Sequence, residues 1–104
     1  MTDDKTILLE TSDSVATLTF ARPKHNVFNI DMMNLFCDTL EDLSRDSDVK
    51  CLVIKGQGSS WCAGVDVGDH KPEMADRMIA TFNRSLTLIE NLKMPTVADR
   101  KSVV

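Results

Sequence analysis

Period-two alternation governs the first twenty residues. Ile7-Leu8-Leu9-Glu10 and Val15-Ala16-Thr17-Leu18-Thr19-Phe20 flank the polar cluster Thr11-Ser12-Asp13-Ser14, which predicts an antiparallel hairpin. In the second strand Ala16, Leu18 and Phe20 share the more apolar face and are expected to look at the core. Pro23 ends that strand, because its ring fixes φ and removes a donor, and it biases Arg22 toward an extended backbone. The period then changes. Met32, Phe36, Leu40 and Leu43 fall four, four and three apart, one stripe of a helix over roughly residues 31 to 44. Asn29 or Asp31 can N-cap it, and Asp38, Glu41 and Asp42 are left for a solvated face.

After the polar connection Ser44-Arg45-Asp46-Ser47-Asp48, the run Leu52-Val53-Ile54 is unbroken and apolar, the pattern of a strand buried on both faces. It runs into Gly56-Gln57-Gly58-Ser59-Ser60, residues that leave a sheet and form a loop. The loop ends in the small-residue patch Cys62-Ala63-Gly64-Val65-Asp66. Pro72 suits the first turn of a second helix reaching about Asn91. Its stripe is Met74, Met78, Phe82, Leu86 and Ile89. Met94-Pro95 closes that helix and Thr96-Val97-Ala98 opens a further strand. Asp99-Arg100-Lys101 then places three charges where a buried strand would continue. Strands alternating with helices predict an α/β fold, with a hairpin followed by parallel strands and amphipathic helices between them.

At 104 residues, 42% hydrophobic and 27% charged, the chain has the composition of one small globular domain. A net charge of −4 with no block of like charge predicts neither a nucleic-acid partner nor an anionic-membrane surface. The longest apolar run falls far short of the ~18 residues of a membrane-spanning helix. Met1-Thr2-Asp3-Asp4-Lys5 is acidic and lacks the apolar centre of a signal peptide. Cys37, Cys51 and Cys62 match neither zinc-ligand nor CxxC spacing. They predict reduced cysteines packed as small side chains in a cytoplasmic protein.

Several chemistries drop out on motif grounds. There is no GxxxxGK[ST] phosphate loop, Gly56-Gln57-Gly58 lacks the third glycine of a dinucleotide fingerprint, and Gly58-Ser59-Ser60-Trp61-Cys62 is not a nucleophile elbow. Asp66, Asp69 and His70 share one short loop without a recognised ligand spacing, so no metal is expected. Two features stay open in meaning. Arg22-Pro23-Lys24-His25 is either a solvated turn or a basic lip for an anionic ligand. Ala63-Gly64-Val65 is either an ordinary tight turn or a turn that presents the Val65 N–H to an oxygen gaining negative charge. Losing one such donor typically costs on the order of 3 kcal/mol of transition-state stabilisation.

Taken in order, Arg22-Pro23-Lys24-His25-Asn26-Val27-Phe28-Asn29, Leu52-Val53-Ile54-Lys55-Gly56, Trp61-Cys62-Ala63-Gly64-Val65-Asp66 and Met94-Pro95-Thr96-Val97-Ala98 resemble the crotonase superfamily of enoyl-CoA hydratases and isomerases. The resemblance covers residues 6 to 98 and only the N-terminal part of a family domain. It implies a spiral of ββα units that binds acyl-CoA thioesters, in trimers or pairs of trimers, with coenzyme A as part of the substrate and no separate cofactor. It places Lys24, His25 and Val27, with the Ala63 backbone, in the pocket for the CoA nucleotide and pantetheine. Ala63, Gly64, Val65, Asp66 and Val67 would also bind the CoA thioester. Lys24 would meet the CoA phosphates, the Val65 N–H would be the first oxyanion-hole donor, and Asp66 would fix the loop rather than act as acid or base.

The departure comes after Ala98. Family members continue there into a glycine-rich turn that carries the second oxyanion donor, with the catalytic glutamates beyond it. Here Asp99 to Val104 follow instead, so residues 1–98 are expected to form the acyl-CoA-binding part and 99–104 a divergent tail. Two readings of function result. The first is an enoyl-CoA hydratase/isomerase-type protein that stabilises an enolate and is inactive as this polypeptide alone. The second is a non-catalytic CoA-binding or subunit-interaction fragment. In either case the strand at Thr96 would be an unpaired edge, which favours association.

Overall fold

The computed structural model describes residues 6–22, 28–57 and 75–99. Strands β1 (Ile7–Ser12) and β2 (Val15–Phe20) form the hairpin. β1 runs two residues beyond the expected Glu10, because Thr11 and Ser12 pair with Ala16 and Val15. Only Asp13 and Ser14 remain in the turn, at φ 52° and 67°. Two left-handed residues make the tight connection whose twist suits a hairpin, and aspartate tolerates that region better than most side chains.

Helix α1 spans Ile30–Ser44. Of the two candidate caps Asn29 is the one used, its side-chain oxygen accepting from the Met32 N–H at 2.8 Å. All four stripe residues are buried, and Ile30, Met33 and Cys37 widen the buried face. Strands β3 (Cys51–Gly56) and β4 (Thr96–Asp99) complete a sheet of order β1-β2-β3-β4, with β1 antiparallel to β2 and the other pairs parallel. Ala16, Leu18 and Phe20 stand opposite Leu52, Ile54 and Gly56. All six are buried, and the five apart from Gly56 join the α1 stripe in one core cluster.

Two expectations need correction. β3 is buried on one face only: Cys51 and Val53 are half-buried and Lys55 is exposed. The core lies on the α1 side of the sheet, and no described element covers the other. β4 continues through Asp99, which pairs with Lys55, and its four residues are all exposed. An exposed strand accommodates a charge that a buried one would reject.

A third correction concerns helix α2, which spans Ala75–Glu90. Of its expected stripe, Met74 lies outside the described residues, Met78 is buried and Ile89 is half-buried against the core. Phe82 and Leu86 are instead 44% and 45% exposed, beside Ile79 at 57%. The inward face is Met78, Thr81, Ser85 and Leu88. Pro72, expected in the first turn, also lies outside the described residues.

The cause is α1. Cys37 donates its thiol hydrogen to the Thr81 carbonyl at 3.7 Å, and Ser85 folds its hydroxyl onto the Phe82 carbonyl at 2.6 Å. Small side chains on both helices allow close approach. Arg84 also bridges sideways to Glu41 and, at 3.8 Å, to Asp38, partly exposed pairs between the two helices that contribute little to stability.

Candidate functional site

The C-terminal ends of the parallel strands form one edge, the place where open α/β sheets receive ligands. Phe20 stands opposite Gly56 there, and the Gln57 N–H donates to the Phe20 carbonyl at 2.8 Å. Both predicted ligand segments begin from this pair: β2 leads to residues 23–27, and β3 leads to residues 58–74. The first segment returns at Phe28, whose ring centroid is 4.9 Å from that of Phe20. Asn29 then starts α1. The contacts of Cys37 with Thr81 and Glu41 with Arg84 advance together along both helices, so α2 runs parallel to α1 and starts at the same edge.

The individual site residues are a different matter. Lys24, His25 and Val27, and likewise Ala63, Gly64, Val65, Asp66 and Val67, lie outside the described residues. The structure therefore brings together the roots of the two segments and assigns no geometry to their side chains. The Cys62 position and the loop of Asp69 and His70 are outside it as well. Among the described residues no group of histidine, cysteine, aspartate and glutamate could hold a metal.

An aromatic cluster beneath the edge escaped the sequence reading. Phe20, Phe28 and Phe36 meet edge to face, with centroids at 4.9, 5.4 and 5.9 Å, a favoured aromatic geometry. All three rings are buried. In the sequence Phe28 falls within the basic connection. Its equal spacing of eight from Phe20 and Phe36 was the available signal.

Among the described residues, titratable groups elsewhere offer no competing centre. Burial pushes the Cys37 thiol pKa above its ordinary 9.0, while the Arg84 charge pulls it the other way. Such a thiol is packed rather than nucleophilic. A groove of about 630 Å³ lies at the opposite end of the sheet, against Arg45, Asp46, Lys50, Lys93, Met94 and Pro95. Its cations are partly engaged already. Arg45 pairs with Asp42 at 2.9 Å, and the Lys50 ammonium donates to the Ser47 carbonyl at 3.0 Å.

Comparison with known proteins decides the family. Residues 10–101 match the enoyl-CoA hydratase/isomerase family model. The chain belongs to the enoyl-CoA hydratase/isomerase family. Within it, the chain is 38% identical to 1,2-epoxyphenylacetyl-CoA isomerase of Escherichia coli K12, over 88% of this chain and 38% of that protein. It is 30% identical to a mitochondrial Delta(3,5)-Delta(2,4)-dienoyl-CoA isomerase of Dictyostelium discoideum, over 94% of this chain and 39% of the relative. The solved structure of Pseudomonas aeruginosa DspI superposes with a TM-score of 0.90 at 22% identity, covering all of this chain and 41% of its own. That likeness confirms the crotonase-type α/β fold. The chain thus spans about two fifths of the length of the relatives it matches.

Proposed function

We propose that this chain is the acyl-CoA-binding N-terminal part of an enoyl-CoA hydratase/isomerase-type protein, with residues 1–98 as the binding part. The observation that carries the reading is the family match over residues 10–101, joined to a sheet edge from which both candidate segments depart. Lys24, His25 and Val27 would receive the CoA nucleotide and pantetheine, with the Lys24 ammonium against phosphate. Ala63 to Val67 would flank the thioester. The Val65 N–H would polarise the thioester carbonyl as negative charge builds on its oxygen. Coenzyme A enters as part of the substrate, and the reading requires no other cofactor.

By itself the 104-residue polypeptide is proposed to bind without turnover. General acid–base chemistry needs carboxylates beside the substrate, and Asp99 to Val104 stand where the family pattern would lead to them. The two isomerase relatives act by name on CoA thioesters, which supports the ligand class and leaves the reaction open between hydration and isomerisation. A cytoplasmic location belongs to the same proposal. Among the described residues no helix is long and apolar enough to cross a membrane.

The test is calorimetric titration with CoA and absorbance titration with a conjugated enoyl-CoA. Saturable binding with a red shift of the enoyl band is expected, and Val65→Pro, which removes the N–H, should abolish the shift. No binding of either ligand would sink the reading. The second reading, a fragment that works through association, is favoured by the outward Ile79, Phe82 and Leu86 and the exposed β4. Sedimentation over a hundredfold concentration range tests it: a monomer throughout removes the second reading.

A further inference from the structure

We propose that a second copy of this chain covers the β4 side of the molecule, the two copies joining antiparallel along β4 and across the outer face of α2. The backbone of β4 carries the first half of the case. The Leu52 N–H donates to the Pro95 carbonyl at 2.9 Å, and Leu52 stands opposite Thr96 in a parallel pair. Bonded residues alternate along such a strand, so Pro95, Val97 and Asp99 turn their backbone groups toward β3. Thr96 and Ala98 turn theirs the other way. β4 ends the sheet order, and among the described residues no strand meets those groups. Thr96, Val97 and Ala98 carry no charge that would keep another strand away, and Asp99 stands opposite Lys55.

The apolar face of α2 lies on the same side. Thr81 and Arg84 meet α1. At 3.6 residues per turn, Ile79, Phe82 and Leu86 lie about 100 to 160° around α2 from Thr81, away from Arg84. α1 joins β2 to β3 and α2 joins β3 to β4, so the side of α2 away from α1 is the β4 side. All three residues are exposed there. Thr96 and Ala98, on the helix face of β4, are exposed as well, and so is Val97 on the other face. An open strand edge and an open apolar helix face border one corner.

One twofold axis, normal to the sheet at Val97, lets a second copy fill both. Thr96 then pairs with Ala98 of the partner subunit, and Ala98 with Thr96 of the partner subunit. Every outward donor and acceptor of the two residues is used. The same axis sets the two α2 helices antiparallel on one face of the joined sheet, Ile79, Phe82 and Leu86 turned toward their counterparts. A twofold interface requires self-complementarity of this kind. An exposed apolar patch of a few hundred Å² marks an interaction surface, while a standard stable pair buries about 800 Å² per partner. The pair therefore sits at the weak end, with a dissociation constant on the order of tens of micromolar.

This inference deepens the association reading and is independent of the CoA reading. The experiment is sedimentation of the 104-residue chain over a hundredfold concentration range centred on that value. Wild type and Leu9→Glu, at an exposed position of β1, should dimerise alike. Ala98→Pro removes an outward N–H and leaves the bonds to β3 whole. It and Leu86→Glu should each weaken association at least about tenfold. Should Ala98→Pro fail to fold, Leu86→Glu and a cross-link decide the matter. Val97→Cys places two thiols across the axis in a non-hydrogen-bonded pair, with Cα atoms about 4.5 Å apart and within disulfide reach. Mild oxidation should link this variant into dimers well beyond the wild-type level. Dimers that ignore Leu86→Glu, dissociate equally with Leu9→Glu, or fail to cross-link through Val97→Cys overturn this geometry and leave the association reading standing. A wild-type monomer throughout overturns both.

Discussion

Helices α1 and α2 lie parallel and in contact, yet they bury different kinds of surface. α1 turns Met32, Met33, Phe36, Leu40 and Leu43 onto the sheet and leaves acids outside. α2 sets Thr81 and Ser85 inward and leaves Ile79, Phe82 and Leu86 at the surface. The sheet is wide and apolar, so α1 meets it with large side chains. The side of α1 offered to α2 includes Cys37, flanked by Asp38 and Glu41, and it selects small groups and an arginine. A helix buries the face its neighbour fits, which need not be its greasiest one.

The largest test of this contrast is truncation. Leu40→Ala, at a fully buried position, should cost about 3 kcal/mol. Phe82→Ala and Leu86→Ala should each stay within about 1 kcal/mol in the monomer. Urea midpoints at low protein concentration check this, and equal losses would mean that the outer face of α2 is covered in solution. Filling is next. Ser85→Leu should cost about 2 kcal/mol by overpacking the close helix contact. A neutral result would mean that α2 can roll to bury its apolar stripe.

Smaller again is Arg84→Ala, which removes partly exposed pairs with Glu41 and Asp38. It should lose at most about 1 kcal/mol, and the difference should shrink in 1 M salt. Salt-independent destabilisation would assign Arg84 a packing role.

The smallest effect is on pH dependence. The folded pKa of the Cys37 thiol is raised by burial. Unfolded chains therefore lose this proton first as pH rises. The stabilisation is complete below the ordinary 9.0 and is lost as pH climbs through the higher folded value. Cys37→Ala should flatten that alkaline decline in thermal stability, and an unchanged slope would assign it to another group.

The candidate site was legible in an uneven way. Lys24, His25, Val27 and Ala63 to Val67 were named through a family likeness, since a turn and a basic lip do not by themselves specify a ligand. The structure joins the roots of those segments through Phe20 and Gln57. The aromatic cluster beside that junction is hidden in the sequence because Phe28 sits beside charged residues. Its partners come from β2 and α1, and no local pattern connects them.

The order of elements, the core face of β2 and the stripe of α1 were determined by the sequence alone. These depend on local periodicity and turn chemistry, which act over a few residues. The tertiary structure decided the rotation of α2, the one-sided burial of β3 and the meeting of Phe20, Phe28 and Phe36. Each depends on which surface arrives opposite, and burial is a property of the pair of surfaces rather than of either one.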